Sequence, residues 1–116
     1  KRLEGIGFRN VDSGAENTLD AAAMFIFIGT APRSEMVSGF VERDEKGFIL
    51  TGPDLPRVNG RPRGWPLDRD PFLFETSVPG VFAAGDVRAG ANRRVAAAVG
   101  EGSATVHSVH RYLETV

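Results

Sequence analysis

The period of apolar and polar positions changes along the chain, and each change predicts an element. From Leu3 to Asn10 (Leu-Glu-Gly-Ile-Gly-Phe-Arg-Asn) apolar and other residues alternate, as along a half-buried strand. Asp12-Ser13-Gly14 and the polar residues up to Asn17 predict a turn. The alternation then gives way to an unbroken apolar run, Ala22-Ala23-Met24-Phe25-Ile26-Phe27-Ile28, stopped by Gly29. That pattern belongs to a strand buried on both faces. The expected arrangement is an antiparallel pair leading into an interior strand.

Farther along, Gly29 to Ser34 reads as a loop, because Pro32 lacks an amide hydrogen and holds Ala31 extended. Glu42-Arg43-Asp44-Glu45-Lys46 reads as a solvated turn, and Gly47 to Thr51 as a short strand. Between Pro53 and Pro71, prolines, Gly60, Gly64 and alternating charges predict a long irregular surface loop, with Trp65 as its anchor onto the domain. Val81 to Ala84 predicts a short buried strand after the Pro79-Gly80 turn. From about Arg93 to Tyr112 a helix is expected. Its apolar stripe of Val95, Val99, Val106, Val109 and Leu113 would pack on the sheet, with His110 packed on the same face.

Composition narrows the classes of function. A chain of 116 residues with 41% hydrophobic and 25% charged residues is at most one modest globular domain. A formal net charge of -1 supplies no broad field for nucleic acid or an anionic membrane. The chain has no cysteine, so it carries no disulfide, thiolate metal site or Cys-x-x-Cys pair. No apolar run approaches the ~20 residues a membrane span needs. The chain opens at Lys1 without an initiator Met and leads directly into a strand pattern, so a piece of a longer protein is expected.

The candidate chemistry lies in Thr76-Ser77-Val78-Pro79-Gly80-Val81-Phe82-Ala83-Ala84-Gly85-Asp86 and in the helix start at Arg93-Arg94-Val95. Gly85 lets the backbone turn and a ligand come close. Asp86 follows at the carboxyl end of a strand, where open α/β proteins bind ligands, and can accept hydrogen bonds from sugar hydroxyls. The helix start offers free amide hydrogens and the positive end of a dipole, a place where Arg93 and Arg94 are more comfortable if an anionic group, a cofactor or Asp86, is close by. Gly100 and Gly102 inside a helix point to close packing. No nucleophile–base pair is present to support hydrolysis or acyl transfer, and the two histidines are too few for a metal site.

These residues resemble the second FAD-binding signature of the pyridine-nucleotide-disulfide oxidoreductases. There a Thr-Ser-x-Pro-Gly-Val-Phe-Ala-x-Gly-Asp string precedes the last long helix. The spacing from Asp86 to Arg93, and from Arg93 to Gly100-x-Gly102, is similar to that of the thioredoxin-reductase branch. Met24 to Pro32 looks like the family's return from the nucleotide domain, and Gly47-Phe48-Ile49 like its next short strand. The resemblance covers nearly the whole chain except the loop from Pro53 to Pro71, which is longer than is typical of that branch. Arg94 stands where glutamine is common.

The resemblance implies an α/β fold class, the C-terminal fragment of an FAD/NAD(P)-binding Rossmann-like (three-layer ββα) fold with a long C-terminal helix. Residues 1–30 would end the NAD(P)H-binding domain and form the return linker, and residues 31–116 would be the C-terminal part of the FAD-binding domain. It implies FAD as cofactor, with NAD(P)H in the parent protein, and a cofactor site that includes Gly85, Asp86, Arg93, Arg94 and Val95. It assigns no catalytic residue and no metal to this chain. The glycine-rich pyrophosphate loops such a protein needs are not here: Gly5-Ile6-Gly7 has Asn10 in the third position, and Gly100-Glu101-Gly102 lies within a helix. The expected partners are therefore the missing N-terminal portion of the same protein, a thioredoxin-like or other electron acceptor, and a second copy in a homodimer. A cytoplasmic setting and inactivity of the isolated chain complete the expectation. The alternative is a non-catalytic flavoprotein-like module that binds a partner through the loop from Pro53 to Pro71.

Overall fold

The computed structural model describes residues 2–116, which form two compact units, Lys1–Thr30 and Ala31–Val116. In the first, strands β1 (Gly5–Arg9) and β2 (Glu16–Asp20) pair antiparallel, with Ile6 opposite Leu19 and Arg9 opposite Glu16. The Asn10 side-chain oxygen accepts from the amides of Asp12 and Ser13, and Gly14 takes φ 70, so the chain reverses within a few residues. Arg9 and Glu16 close the hairpin with an exposed ion pair at 2.6 Å.

The second strand thus begins earlier than the pattern indicates, and the apolar run after it is not a strand. Met24 to Ile28 has no regular secondary structure, and Phe27 and Ile28 are 90% and 91% exposed. A strand exists only by hydrogen bonding to another strand, and no described residue pairs with this run. Its apolar composition specifies burial on both faces without supplying the strands that would bury it.

The second unit is built mainly from turns around a small core. Val41, Ile49 and Ala83 are buried together, with Val37, Val78, Val81 and Val87 packed against them. The expected strands at Gly47–Thr51 and Val81–Ala84 shrink to single bridges. Ile49 pairs antiparallel with Arg43 and parallel with Arg88, and Phe82 pairs with Glu75. Each segment is fixed by a few backbone hydrogen bonds to different neighbours, such as Ala89 N–H to the Ile49 carbonyl at 2.8 Å and Ala83 N–H to the Phe74 carbonyl at 2.9 Å.

The loop from Pro53 to Pro71 is more ordered than its composition indicates. Strands β3 (Arg57–Val58) and β4 (Arg61–Pro62) form a small hairpin, turned by Asn59 and Gly60 at φ 52 and 81. Positive φ at both central residues is the geometry that twists correctly into a two-residue hairpin, and Asn-Gly favours it. As expected, Trp65 is the anchor. It is buried, and its indole N–H donates to the Arg69 carbonyl at 2.7 Å.

Helix α1 (Val95–Leu113) ends the chain. Its buried side overlaps the expected apolar stripe only at Val109, which is half-buried. Val95, Val99, Val106 and Leu113 are 84%, 67%, 55% and 59% exposed, and His110 is exposed as well. The helix instead presents Ala98, Glu101, Thr105, Ser108 and Tyr112, residues spaced three or four apart along one face, to its own unit. Gly100 and Gly102 lie in open space, where a Cβ would meet nothing within 4 Å, so they are not packing glycines among the described residues.

Candidate functional site

The string from Phe74 to Val87 is held by carboxylates and hydroxyls rather than by a sheet. Glu75 is completely buried, and its carboxylate accepts from both terminal nitrogens of Arg69 at 2.7 and 2.9 Å, from the Phe72 amide and from the Gly80 amide. Arg69 in turn lies over the rings of Phe72, Trp65 and Tyr112, with its guanidinium carbon 4.3, 5.6 and 5.7 Å from their centroids. Thr76 is buried, and its hydroxyl accepts from the Val78 amide, while the Ser77 hydroxyl oxygen accepts from the Glu42 amide. Tyr112, from the last turn of α1, seats against Gly80, where any Cβ would lie 2.6 Å from its ring. The Pro79-Gly80 turn is thereby fixed from both sides.

Beyond Ala84 the backbone leaves the core through a single turn of 3-10 helix, Gly85–Val87. Gly85 is buried at φ 75, a conformation open to glycine, and Ala98 of α1 lies against it. Asp86 is exposed, and its carboxylate makes no hydrogen bond or ion pair with a described residue. Arg94 is the N-cap residue of α1, with extended backbone, and its side chain makes no capping bond. Val95 opens the helix and is exposed, so the first-turn amides have no partner within the helix. The Gly85–Val87 turn packs on α1 at Ala98 and Glu101, within the first two turns of the helix that Arg94 caps and Val95 opens.

Arg93 lies differently from the expectation of a neighbouring anion. Its guanidinium stacks on Phe48, 4.2 Å from the ring centroid. Neither Arg93 nor Arg94 pairs with Asp86.

Two charged residues that pattern reading passed over hold this turn. Glu101 accepts the Gly85 amide at 2.7 Å and the Arg88 Nε at 3.1 Å on one oxygen, and a terminal nitrogen of Arg88 at 2.5 Å on the other. Arg88 and Glu101 side chains are only 14% and 15% exposed, so water screens the pair little. The hydrogen bond from Arg88 holds the Glu101 carboxyl below the ordinary carboxylate range against partial desolvation, and raises Arg88 in return. The signal that identifies Glu101 is positional: it falls on the Ala98–Thr105–Ser108–Tyr112 face, whereas apolar periodicity selects the adjoining one.

Comparisons with known proteins show what this chain is similar to. No family model matches the chain. A thioredoxin reductase of Mycolicibacterium smegmatis is 34% identical over 112 residues, 97% of this chain and 30% of that protein. The NADPH-dependent thioredoxin reductase 3 of Arabidopsis thaliana is likewise 34% identical over 97% of this chain, which spans 18% of its length. This chain is homologous to a part of the thioredoxin reductases. Among solved structures, a thioredoxin reductase from Giardia duodenalis superposes with a TM-score of 0.67 at 31% identity, covering 98% of this chain and 32% of the other. One from Streptococcus pyogenes does so with a TM-score of 0.66 at 29% identity. The chain therefore spans a fifth to a third of the length of these homologues.

Among the described residues no group of His, Asp and Glu side chains could hold a metal, and no helix is long and apolar enough to cross a membrane. The thioredoxin-reductase relationship instead directs attention to Asp86 and the start of α1.

Proposed function

We propose that this chain forms the ribitol- and flavin-side half of an FAD site in a longer NAD(P)H-dependent oxidoreductase. Residues 1–30 are then the end of the NAD(P)H-binding domain with its return linker, and residues 31–116 the C-terminal part of a Rossmann-like FAD-binding domain. The observation that carries the reading is the free carboxylate of Asp86, set on a glycine turn that packs on α1, a helix whose start has no side-chain cap.

The residues present fit that cofactor. An exposed carboxylate without a protein partner is the acceptor that ribitol hydroxyls require. Unpartnered first-turn amides at Val95 and beyond are donors, and with the dipole they favour the electron-rich pyrimidine edge of a flavin. The side chain of Val95 and the stacked pair of Arg93 on Phe48 offer apolar and planar surface nearby. The chemistry FAD supplies when bound is transfer of reducing equivalents from a nicotinamide to a disulfide or another acceptor. The chain's own residues do no proton transfer in this scheme. They hold the cofactor and donate to its negative edge, and the pyrophosphate end is left to the N-terminal portion.

The loop from Pro53 to Pro71 favours this reading over a partner-binding module. Its aromatic anchor is buried, and Arg57, Arg61 and Arg63 are paired with Asp70, Asp68 and Glu42. FAD titration followed by flavin fluorescence and visible absorbance tests the proposal on two samples, the chain alone and the chain with its N-terminal portion. Stoichiometric binding is expected only in the second. Asp86→Ala is expected to weaken it about tenfold or more, the effect of losing hydrogen bonds to a charged group. Tight FAD binding with NADPH oxidation by the chain alone would overturn the split site, and no binding in either sample would remove the flavin reading.

A further inference from the structure

We infer that Glu101, braced by Arg88, is a positioning residue that sets where Asp86 presents its carboxylate, an inference that rests on the FAD reading above. Glu101 lies in α1, away from the exposed helix start, and reaches the ligand turn through one bond, the 2.7 Å contact from the Gly85 amide. Gly85 immediately precedes Asp86. Among the described residues Glu101 grips the turn's backbone at that amide and its C-cap residue Arg88 through the side chain, while the Arg88 N–H closes the turn on the Gly85 carbonyl at 2.9 Å. The two peptide groups that flank Gly85 are thus held separately, the first by a carboxylate at its N–H and the second by the turn's own 3-10 bond at its carbonyl.

Arg88 fixes the carboxylate in turn. Two of its nitrogens donate to Glu101, NH1 donates to the Ala89 carbonyl, and its guanidinium carbon lies 5.6 Å from the Phe74 centroid. Asp54 adds a longer ion pair at 3.6 Å. The Glu101 carboxylate is thus held on both oxygens, and through the Gly85 amide it fixes the backbone from which the Asp86 side chain projects. Ala98, one turn earlier on the same helix, lies where a Cβ on Gly85 would touch it at 3.5 Å, so the turn runs close along the helix. A carboxylate that must accept from hydroxyls keeps both oxygens free in this arrangement, because the orienting bonds are made one residue earlier.

The test is a double-mutant cycle on FAD affinity, measured in the polypeptide that carries this chain with its N-terminal portion, using wild type, Asp86→Ala, Glu101→Gln and the double variant. Glu101→Gln is expected to weaken FAD about tenfold, and the double variant to bind no more weakly than Asp86→Ala alone, since a residue acting through Asp86 has nothing left to position. Amide exchange at Gly85 and Asp86 in the apoprotein is expected to quicken in Glu101→Gln without general loss of protection in α1. Wild-type affinity in Glu101→Gln overturns the inference. So does a double variant whose loss equals the product of the single losses, which would make Glu101 a general stabiliser. Should Glu101→Gln not fold, Arg88→Lys reads the same coupling with a smaller effect. Asp86→Ala alone reports on the FAD reading: if it binds like wild type, that reading fails first and the positioning role with it.

Discussion

Glu75 shows how much a single side chain carries in a fold with few strands. It is fully buried, which by itself works to raise its pKa, but the hydrogen bond from Arg69, the amides of Gly80 and Phe72, and the charge of Arg69 together hold it below the ordinary 4.5. A carboxyl depressed in the folded state contributes stability that is complete above its unfolded value and is lost as pH falls through the lower folded value. Glu101 is depressed in the same direction. Thermal melts from neutral to acid pH are therefore expected to fall steeply below the ordinary carboxylate range. In Glu75→Gln the melting temperature is expected to be lower at neutral pH, by the equivalent of about 3 kcal/mol for breaking a buried pair, and flatter across the acid range. An unchanged acid slope in that variant would assign the loss to other groups. Gly80 gives a second residue-scale test. At φ 78, with the Tyr112 ring where a Cβ would go, Gly80→Ala is expected to cost about 2 kcal/mol or more in a denaturant titration, and Tyr112→Ala in the same chain should recover part of it.

Among the elements, legibility followed the source of each signal. The first strand and the last helix were readable because their patterns are local: alternation from Leu3 to Asn10 gives β1, and the span from Arg93 to Tyr112 nearly coincides with α1. The burial of Trp65 was readable from its place among prolines and charges. The hairpin β3–β4 carried a signal that composition obscured, since Asn59-Gly60 outweighs the surrounding prolines. What could not be read was which face of α1 turns inward. Apolar residues mark the side that can be buried, but in this unit the helix is held by Gly85, Arg88 and the Pro79-Gly80 turn, whose partners are a carboxylate, small residues and Tyr112. The candidate site split the same way: Gly85 and Asp86 followed from the string, whereas Glu101 and Glu75 depend on contacts 16 and 6 residues away in sequence. Trp65→Ala tests the element directly. Removing a buried indole that also stacks with Arg69 is expected to destabilise the second unit by about 3 kcal/mol and to free the loop to limited proteolysis between Pro53 and Pro71, whereas Gly60→Ala should free the hairpin alone.

At the scale of the whole molecule, the apolar surface is large for so short a chain. One stripe runs along α1 through Val95, Val99, Val106 and Leu113, and in the first unit Met24, Phe25, Ile26, Phe27 and Ile28 are all more than half exposed. Single exposed apolar side chains are ordinary, but contiguous ones at helical spacing mark a surface that another surface covers. This chain spans 18 to 32% of the length of its homologues, which are about three to five and a half times as long and have residues that could cover such a surface. The isolated chain is therefore expected to bind a hydrophobic dye and to scatter light increasingly with concentration. Val99→Lys with Val106→Lys is expected to reduce both while leaving α1 helical by circular dichroism, because neither residue contributes to the buried side of the helix. The same pair of substitutions in the chain joined to its N-terminal portion should be destabilising, by about 2 kcal/mol or more if lysine must then be buried at both positions. Opposite effects of one substitution pair in the two contexts would identify the α1 stripe as an internal face of the longer protein. Equal tolerance in both would make it a surface that stays open to solvent, and the α1 face that matters would be only the one built on Ala98, Glu101 and Tyr112.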